Sequence, residues 1–333
     1  MIKIKSLLIY FAISMLVASC AKTEPKQHKL EGNVFGTNFH ITYIDDRSEN
    51  FNHAIDSLFQ LVNSSLSTYS DVSIISKINK GDTTIVVDTL FSEVYYKAAK
   101  IYRETNGVFD PTIGVLVNAW GFGPEKKLEG LNAETISKLM ERVGYDKIKL
   151  IDHKIQKEHP DIYLDFNAIA KGFGVDVIAR YLEAKNIENY MVEIGGEVRV
   201  KGKNFKNHFW RIGIEKPNFD GTRSLQQIVE LHDEAMATSG NYRKFKIDAS
   251  TGEKYVHTID TKTGYTAKRD LLSASVIAPI DCADVDGYAT SFMAMGLNQT
   301  KLFLEKHPEL KVFLIYLDKE GKTKEYCNFS LGN

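Results

Sequence analysis

The chain has 333 residues, 43% hydrophobic and 26% charged, an ordinary globular balance with enough apolar content for a sizeable core. Lys plus Arg number 42 and Asp plus Glu 43, so the formal net charge is -1. A near-neutral chain has no global field for nucleic acid, and any anionic ligand must be held by a local site.

The N-terminus is the first informative stretch. Lys3 and Lys5 form a short basic start, Leu7 to Val17 an apolar run, and Val17-Ala18-Ser19-Cys20 a small-residue end. That is the layout of a secretory signal, and the run is shorter than the roughly 20 residues a transmembrane helix needs. Val-Ala-Ser-Cys resembles a bacterial lipobox, in which the Cys is lipidated and becomes the first mature residue. Residues 1–19 are therefore read as a lipoprotein signal peptide, Cys20 as the lipidation site, and residues 20–29, polar with Pro25, as a tether. An ordinary signal peptide with a chance Cys is the competing reading. The expected location is exported, anchored in a membrane and facing the periplasm, with inner or outer membrane left open. Cys282 and Cys327 remain, open between one disulfide and two buried thiols.

Residues 30–333 read as one domain. Val34 to Tyr43 alternates like a strand, and Asn52 to Leu66 places Ile55, Leu58, Phe59 and Val62 at helical spacing. Thr89 to Thr105 is a second amphipathic helix, stopped by Asn106-Gly107. Pro111 to Ala119 is short and apolar, and Ala133 to Val143 is helical. Strands dominate after Lys147: Asp161 to Phe166, Tyr190 to Lys201 broken at Gly195-Gly196, Phe209 to Glu215, and Leu271 to Pro279. Helices are expected over Val175–Ala184, Asp286–Leu297 and Thr300–Glu305, and a closing hairpin over 319–322. Helices concentrate early and strands late, without regular β-α alternation, which favours an α+β class over a doubly wound sheet.

Four polar segments interrupt this pattern. The stretch from Asp165 to Gly174 joins a strand to a helix, offers backbone N–H groups to an anion and carries Lys171. Its Gly172-x-Gly174 imitates a dinucleotide fingerprint, but Val177 takes the third glycine position. A connection that uses glycine for turn geometry explains it equally. Asp286 and Thr290 are four apart and share a helical face, a carboxylate and a hydroxyl that suit Mg²⁺; a helix cap at Asp284 or Asp286 is the alternative. His257 stands at a strand end beside a polar turn, either as a general base or bonded locally. Ala237 to Tyr242 is a small-residue loop without a Gly-x-Ser-x-Gly pattern, which makes Ser239 a poor nucleophile.

The order of the motifs says more than any one of them. Phe35-Gly36-Thr37, Ser67-Thr68-Tyr69, Phe109-Asp110-Pro111-Thr112-Ile113-Gly114, Ala119-Trp120-Gly121, the Asp165–Gly172 stretch, Glu193-Ile194-Gly195-Gly196, Ala237-Thr238-Ser239-Gly240, His257-Thr258-Ile259-Asp260 and Asp286-Gly287-Tyr288-Ala289-Thr290 occur in sequence. From about residue 32 onward the chain closely resembles the ApbE family, the FAD:protein FMN transferases. The resemblance implies a single two-lobed domain of the ApbE, T-fold-like type, with mixed, mainly antiparallel sheets and flanking helices.

The resemblance also implies an activity. FAD is the substrate, Mg²⁺ sits at its diphosphate, and the FMN half moves to a Thr or Ser hydroxyl of a partner through a phosphoester bond, releasing AMP. The usual acceptors are flavin-carrying subunits of membrane redox pumps. Carried over, Asp286, Thr290 and the carbonyl of Ala168 hold the metal. Phe35, Tyr69, Ala119, Trp120, Gly121, Asp165, Lys171 and Ile259 line the FAD site, and His257 with Lys171 does the chemistry. Phe35 replaces the family's usual Met, and Ala289 stands where some members carry a second acidic ligand. The same site would serve an FAD pyrophosphatase, with water in place of the acceptor; a flavin-storing lipoprotein without catalysis is the other alternative.

Overall fold

The computed structural model describes residues 24–331 apart from 48, 219–221, 223, 242–244 and 248–253. The signal segment, Cys20 and Tyr242 lie outside the described residues. Two long strands open the chain, β1 (Lys26–Val34) and β2 (Thr37–Asp45), paired antiparallel. Phe35 (φ 51°) and Gly36 (φ 74°) turn the chain between them, and two successive left-handed residues match the twist of a tight hairpin. The strand expected over 34–43 is therefore split by this turn. The expected tether is shorter than its polarity suggested, because 26–29 already belong to β1. That strand lies at the edge of its sheet, where Lys26, Lys29 and Glu31 face water.

Five helices follow: α1 (Asn52–Leu66), α2 (Ile74–Asn79), α3 (Thr89–Glu104), α4 (Gly114–Ala119) and α5 (Ala133–Met140). The Asp88 side chain accepts the Phe91 N–H and starts α3, while Asn106 and Gly107, both at positive φ, end it. A small hairpin, β3 (Ile148–Ile151) and β4 (Lys154–Lys157), comes next. The strand expected over 161–166 does not form; Tyr163 makes a single bridge to Ile113. Helix α6 (Ala170–Ala184) starts five residues earlier than expected, so Lys171, Gly172 and Gly174 are helical rather than part of a loop.

Strands then dominate: β5 (Tyr190–Ile194), β6 (Glu197–Lys201), β7 (Trp210–Glu215), β8 (Leu225–Leu231), β9 (Ala235–Gly240), β10 (Phe245–Ile247), β11 (Lys254–Val256) and β12 (Leu271–Ala278). Ala237 to Gly240, expected as a loop, lie in β9. Helices α7 (Cys282–Met295) and α8 (Leu297–Leu304) and the hairpin β13 (Lys311–Leu317), β14 (Thr323–Cys327) close the chain. The main sheet has eight strands in the order β1-β2-β5-β6-β9-β12-β13-β14, and its ladders are antiparallel throughout. The fold is α+β, and this sheet has none of the parallel pairing that a dinucleotide fold requires.

The middle of the sheet is covered on both faces, so every residue of β12 is buried. Val312, Leu314, Ala274 and Val276 pack with α6 and α7, whereas Phe313, Ile315 and Met236 pack against Trp210, Ile214 and Leu231 of the β7–β8 hairpin. Burying each such side chain contributes about 1.5–3 kcal/mol relative to exposure. Helix α7 runs through this core with every residue buried except Thr290. A helix apolar on all sides belongs in the interior, so its two acidic residues must find partners there. Cys282 is buried and Cys327 half-buried, and both are free thiols.

Candidate active site

The site is built where α6 crosses α7. A Cβ on Gly172 would lie 2.4 Å from the Cys282 carbonyl oxygen, so only glycine permits this approach. At Gly174 a Cβ would meet the Phe35 ring at 2.6 Å, and the ring would have to shift to admit it. The two glycines that imitate a nucleotide fingerprint thus serve helix packing. Asp176 fixes the crossing further: its two carboxylate oxygens accept the N–H groups of Cys282 (2.8 Å) and Ala283 (2.9 Å) at the start of α7. Burial pushes the Asp176 carboxyl up to about 6.

One hydrogen bond organises the candidate metal ligands. The Gly172 N–H donates to Asp286 Oδ2 at 3.0 Å. Gly172 is the third residue of α6, and its N–H is one of the first-turn donors that a helix leaves without an intrahelical partner; Asp286 satisfies it. The Ala168 oxygen, two residues before the helix, accepts no hydrogen bond from a described residue. Asp286 is thus held at the N-terminal end of α6, which Ala168 leads into. Thr290, one turn beyond Asp286 on α7 and the one residue of that helix not buried, shares a 3.2 Å hydrogen bond with Ser239 of β9. Asp284 is committed elsewhere: Lys97 Nζ reaches its Oδ2 at 2.6 Å and Asp281 at 2.8 Å.

Burial raises the Asp286 carboxyl above the ordinary carboxylate range, with Lys171 and the Gly172 N–H opposing. Burial works against the Lys171 ammonium, yet the charges of Glu197 and Asp286 outweigh it and hold it firmly protonated. Lys171 Nζ pairs directly with Glu197 Oε1. A buried carboxylate, a hydroxyl and an unbonded carbonyl are the hard oxygens that suit a Mg²⁺-like cation. Among the described residues no three His, Cys, Asp or Glu side chains gather as a metal cluster.

Helix α4 supplies the apolar wall. Ala119 and Ile259 are buried in one cluster with Leu116, Ile136 and Leu139, and Trp120 packs against it. Trp120 Nε1 donates to the Gly264 carbonyl at 2.9 Å, which fixes the indole plane. Gly121 takes φ 80° and turns the chain away from α4. Directly after it, the Phe122 ring meets the His257 ring edge-on with centroids 6.3 Å apart. His257 follows β11, and its neighbour Thr258 donates to Asn241 at 2.9 Å. Asn241 directly follows β9, the strand whose Ser239 reaches Thr290. This run of contacts joins the segment that carries His257 to the end of β9, the strand that reaches Thr290.

Asp165 lies beside the start of α4. Its N–H donates to the Pro111 carbonyl at 2.8 Å, and its Oδ1 accepts the Asn167 N–H at 2.7 Å. Burial raises its carboxyl, with the Asn167 bonds opposing. Its Cβ lies 3.0 Å from where a Cβ on Gly114 would be, beside the start of α4. Tyr69 is 66% exposed over the whole residue; partial desolvation of its hydroxyl, helped by the charge of Asp165, raises its phenol. The Phe35 ring packs on Gly174 of α6 and edge-on to Phe59, centroids 5.8 Å apart. Sequence reasoning missed Glu197, Asp176 and Phe122; Glu197 follows the quoted Gly195-Gly196 pair, but nothing local marks it as the partner of Lys171.

The ApbE family model matches residues 35–314. The chain is 38% identical to an FAD:protein FMN transferase of Haemophilus influenzae, covering 96% of this chain and 94% of that one. It is 30% identical to an FAD:protein FMN transferase of Escherichia coli (strain K12), covering 88% and 85%. The solved flavin transferase ApbE from Vibrio cholerae aligns with a TM-score of 0.81 at 36% identity, covering 91% of this chain and 97% of that one. The apo form of Pseudomonas stutzeri flavinyl transferase ApbE aligns at 0.80 and 25% identity, covering 91% and 95%.

Proposed function

The chain belongs to the ApbE family, and from that premise we propose that it is a Mg²⁺-dependent FAD:protein FMN transferase acting on a Thr or Ser hydroxyl of a partner protein. The observation that carries the metal-assisted part is the Gly172 N–H given to Asp286, which fixes that buried carboxylate at the N-terminal end of α6, just after an Ala168 carbonyl that accepts no hydrogen bond from a described residue. Asp286, Thr290 and the Ala168 carbonyl would hold the cation. When bound, Mg²⁺ neutralises diphosphate charge and makes the phosphorus a better electrophile.

The residues of the chain divide the remaining work. Lys171 supplies a second positive charge for the diphosphate. Ala119, Trp120, Gly121 and Ile259 form an apolar, ring-bearing wall for the flavin or adenine, with Tyr69 and Asp165 on the other side. His257 takes the proton from the acceptor hydroxyl as its oxygen attacks the FMN-side phosphorus. The phosphoanhydride bond to the AMP half breaks, AMP leaves with that electron pair, and FMN stays on the acceptor. Phe35, packed against Gly174 near the start of α6, completes the lining of the FAD site.

The reading extends to location and partner. A basic start, an apolar run and Val17-Ala18-Ser19-Cys20 support export and a lipid anchor at Cys20, facing the periplasm. The family resemblance supports an acceptor such as a flavin-carrying subunit of a membrane redox pump. The test is mass spectrometry of an acceptor domain incubated with the protein, FAD and Mg²⁺. A gain of one FMN, lost with Asp286→Ala, is the expected result. Free FMN and AMP without an adduct would instead mean hydrolysis, and unchanged FAD would mean storage.

A further inference from the structure

Glu197 opens β6, directly after the Gly195-Gly196 turn. It is 1% exposed. One of its oxygens, Oε1, pairs with Lys171 Nζ; the other, Oε2, is buried without a hydrogen-bond partner. A carboxylate left half-bonded in the interior costs free energy. The Lys171 ammonium lies in the field of both Glu197 and Asp286, and the three groups form one set of two buried negative charges and one half-buried positive charge. If the ammonium settled on Asp286, it would occupy the carboxylate that a cation needs.

We infer that Glu197 is a positioning residue: it holds the Lys171 ammonium off Asp286, so that Asp286 stays open to a divalent cation while Lys171 remains beside the diphosphate site. This rests on the reading of Asp286 as a metal ligand. Removing the Glu197 charge leaves Asp286 as the one anionic partner for Lys171 within this set, and the ammonium then competes with the metal. Partners one step behind a metal ligand typically change metal affinity by about 10–100-fold when altered. A purely structural role for Glu197 would not depend on the presence of Lys171, which separates the two explanations.

The experiment is titration of the full-length protein with Mn²⁺ alone, following the free-ion paramagnetic resonance signal, with melting temperature recorded for each variant. Wild type should bind and Asp286→Ala should not; failure of either overturns the ligand reading and the inference with it. With that reading intact, Glu197→Gln should weaken Mn²⁺ binding by about 10-fold or more. Glu197→Gln with Lys171→Met should return to within about threefold of wild type, because the two residues act as a coupled pair. Glu197→Asp, which keeps the charge, should retain most of the affinity. Unchanged affinity in Glu197→Gln, or equal losses in the single and double variants, would overturn the inference. Should Glu197→Gln not fold, Lys171→Met alone decides: affinity equal to or tighter than wild type supports it, and weaker affinity overturns it.

Discussion

Gly172→Ala tests the geometry on which the site depends. In a helix, Ala is favoured over Gly by about 1 kcal/mol, so propensity alone predicts a more stable protein. The crossing with α7 predicts the opposite. The added Cβ would lie 2.4 Å from the Cys282 oxygen, 2.7 Å from its carbonyl carbon and 2.8 Å from the Ala283 nitrogen, against an ordinary contact of 3.4–4 Å. All three are backbone atoms and cannot rotate aside. The N–H groups of Cys282 and Ala283 are also pinned by Asp176. The helices must therefore separate by on the order of 1 Å, and overpacking of this kind costs about 1–3 kcal/mol. With backbone on one side of the clash the upper half of that range applies, leaving a net loss of about 1–2 kcal/mol after the propensity gain. Each kcal/mol lowers the melting temperature by about 2–4 °C in a chain of 150–250 residues, somewhat less in a longer one. The same separation stretches the bond from Gly172 to Asp286, so the Mg²⁺ concentration needed for half-maximal transfer should rise. Urea denaturation and a metal-dependence curve of FMN transfer measure both effects. A Gly172→Ala protein as stable as wild type, with an unchanged metal requirement, would refute the argument.

Further outcomes follow from individual groups. His257→Ala should lower the transfer rate by about 10²–10⁴-fold while FAD still binds; an unchanged rate in a mass-spectrometric time course would remove His257 as the base. Thr290→Val keeps the shape and removes the hydroxyl, so the half-maximal Mg²⁺ concentration should rise while the melting temperature stays close to wild type. Trp120→Phe loses the bond to Gly264, worth about 0.5–1.5 kcal/mol, and should weaken FAD binding several-fold if the indole orients the wall. Asp110, pushed up to about 6 from 3.8 mainly by burial, binds its proton more tightly folded than unfolded. Its contribution to stability is full below about pH 4 and is lost as pH rises through about 6, roughly 1.4 kcal/mol per unit of pKa difference. Asp110→Asn should flatten that part of the curve of urea stability against pH.

The sequence by itself determined what depends on neighbours along the chain. Helix α1 was legible to the residue, because Ile55, Phe59 and Val62 recur on one face, and α3 was legible because Asn106-Gly107 ends it. The α+β class followed from the order of such segments, and the family from motifs read in sequence. Strands without a local signature were lost: β1 is polar because it is an edge, and β9 is small-residued because it lies under α7. The first turn of α6 was read as a loop, since its glycines weaken the helical signal and their reason lies on another helix. Only the tertiary structure decided which buried charges meet. Lys171 is 26 positions from Glu197 and more than a hundred from Asp286, and the Gly172 N–H finds Asp286 solely because α7 passes within contact. Periodicity reports which face of an element is apolar. It carries no information about which distant element covers that face, and the electrostatics of this site arise from that covering.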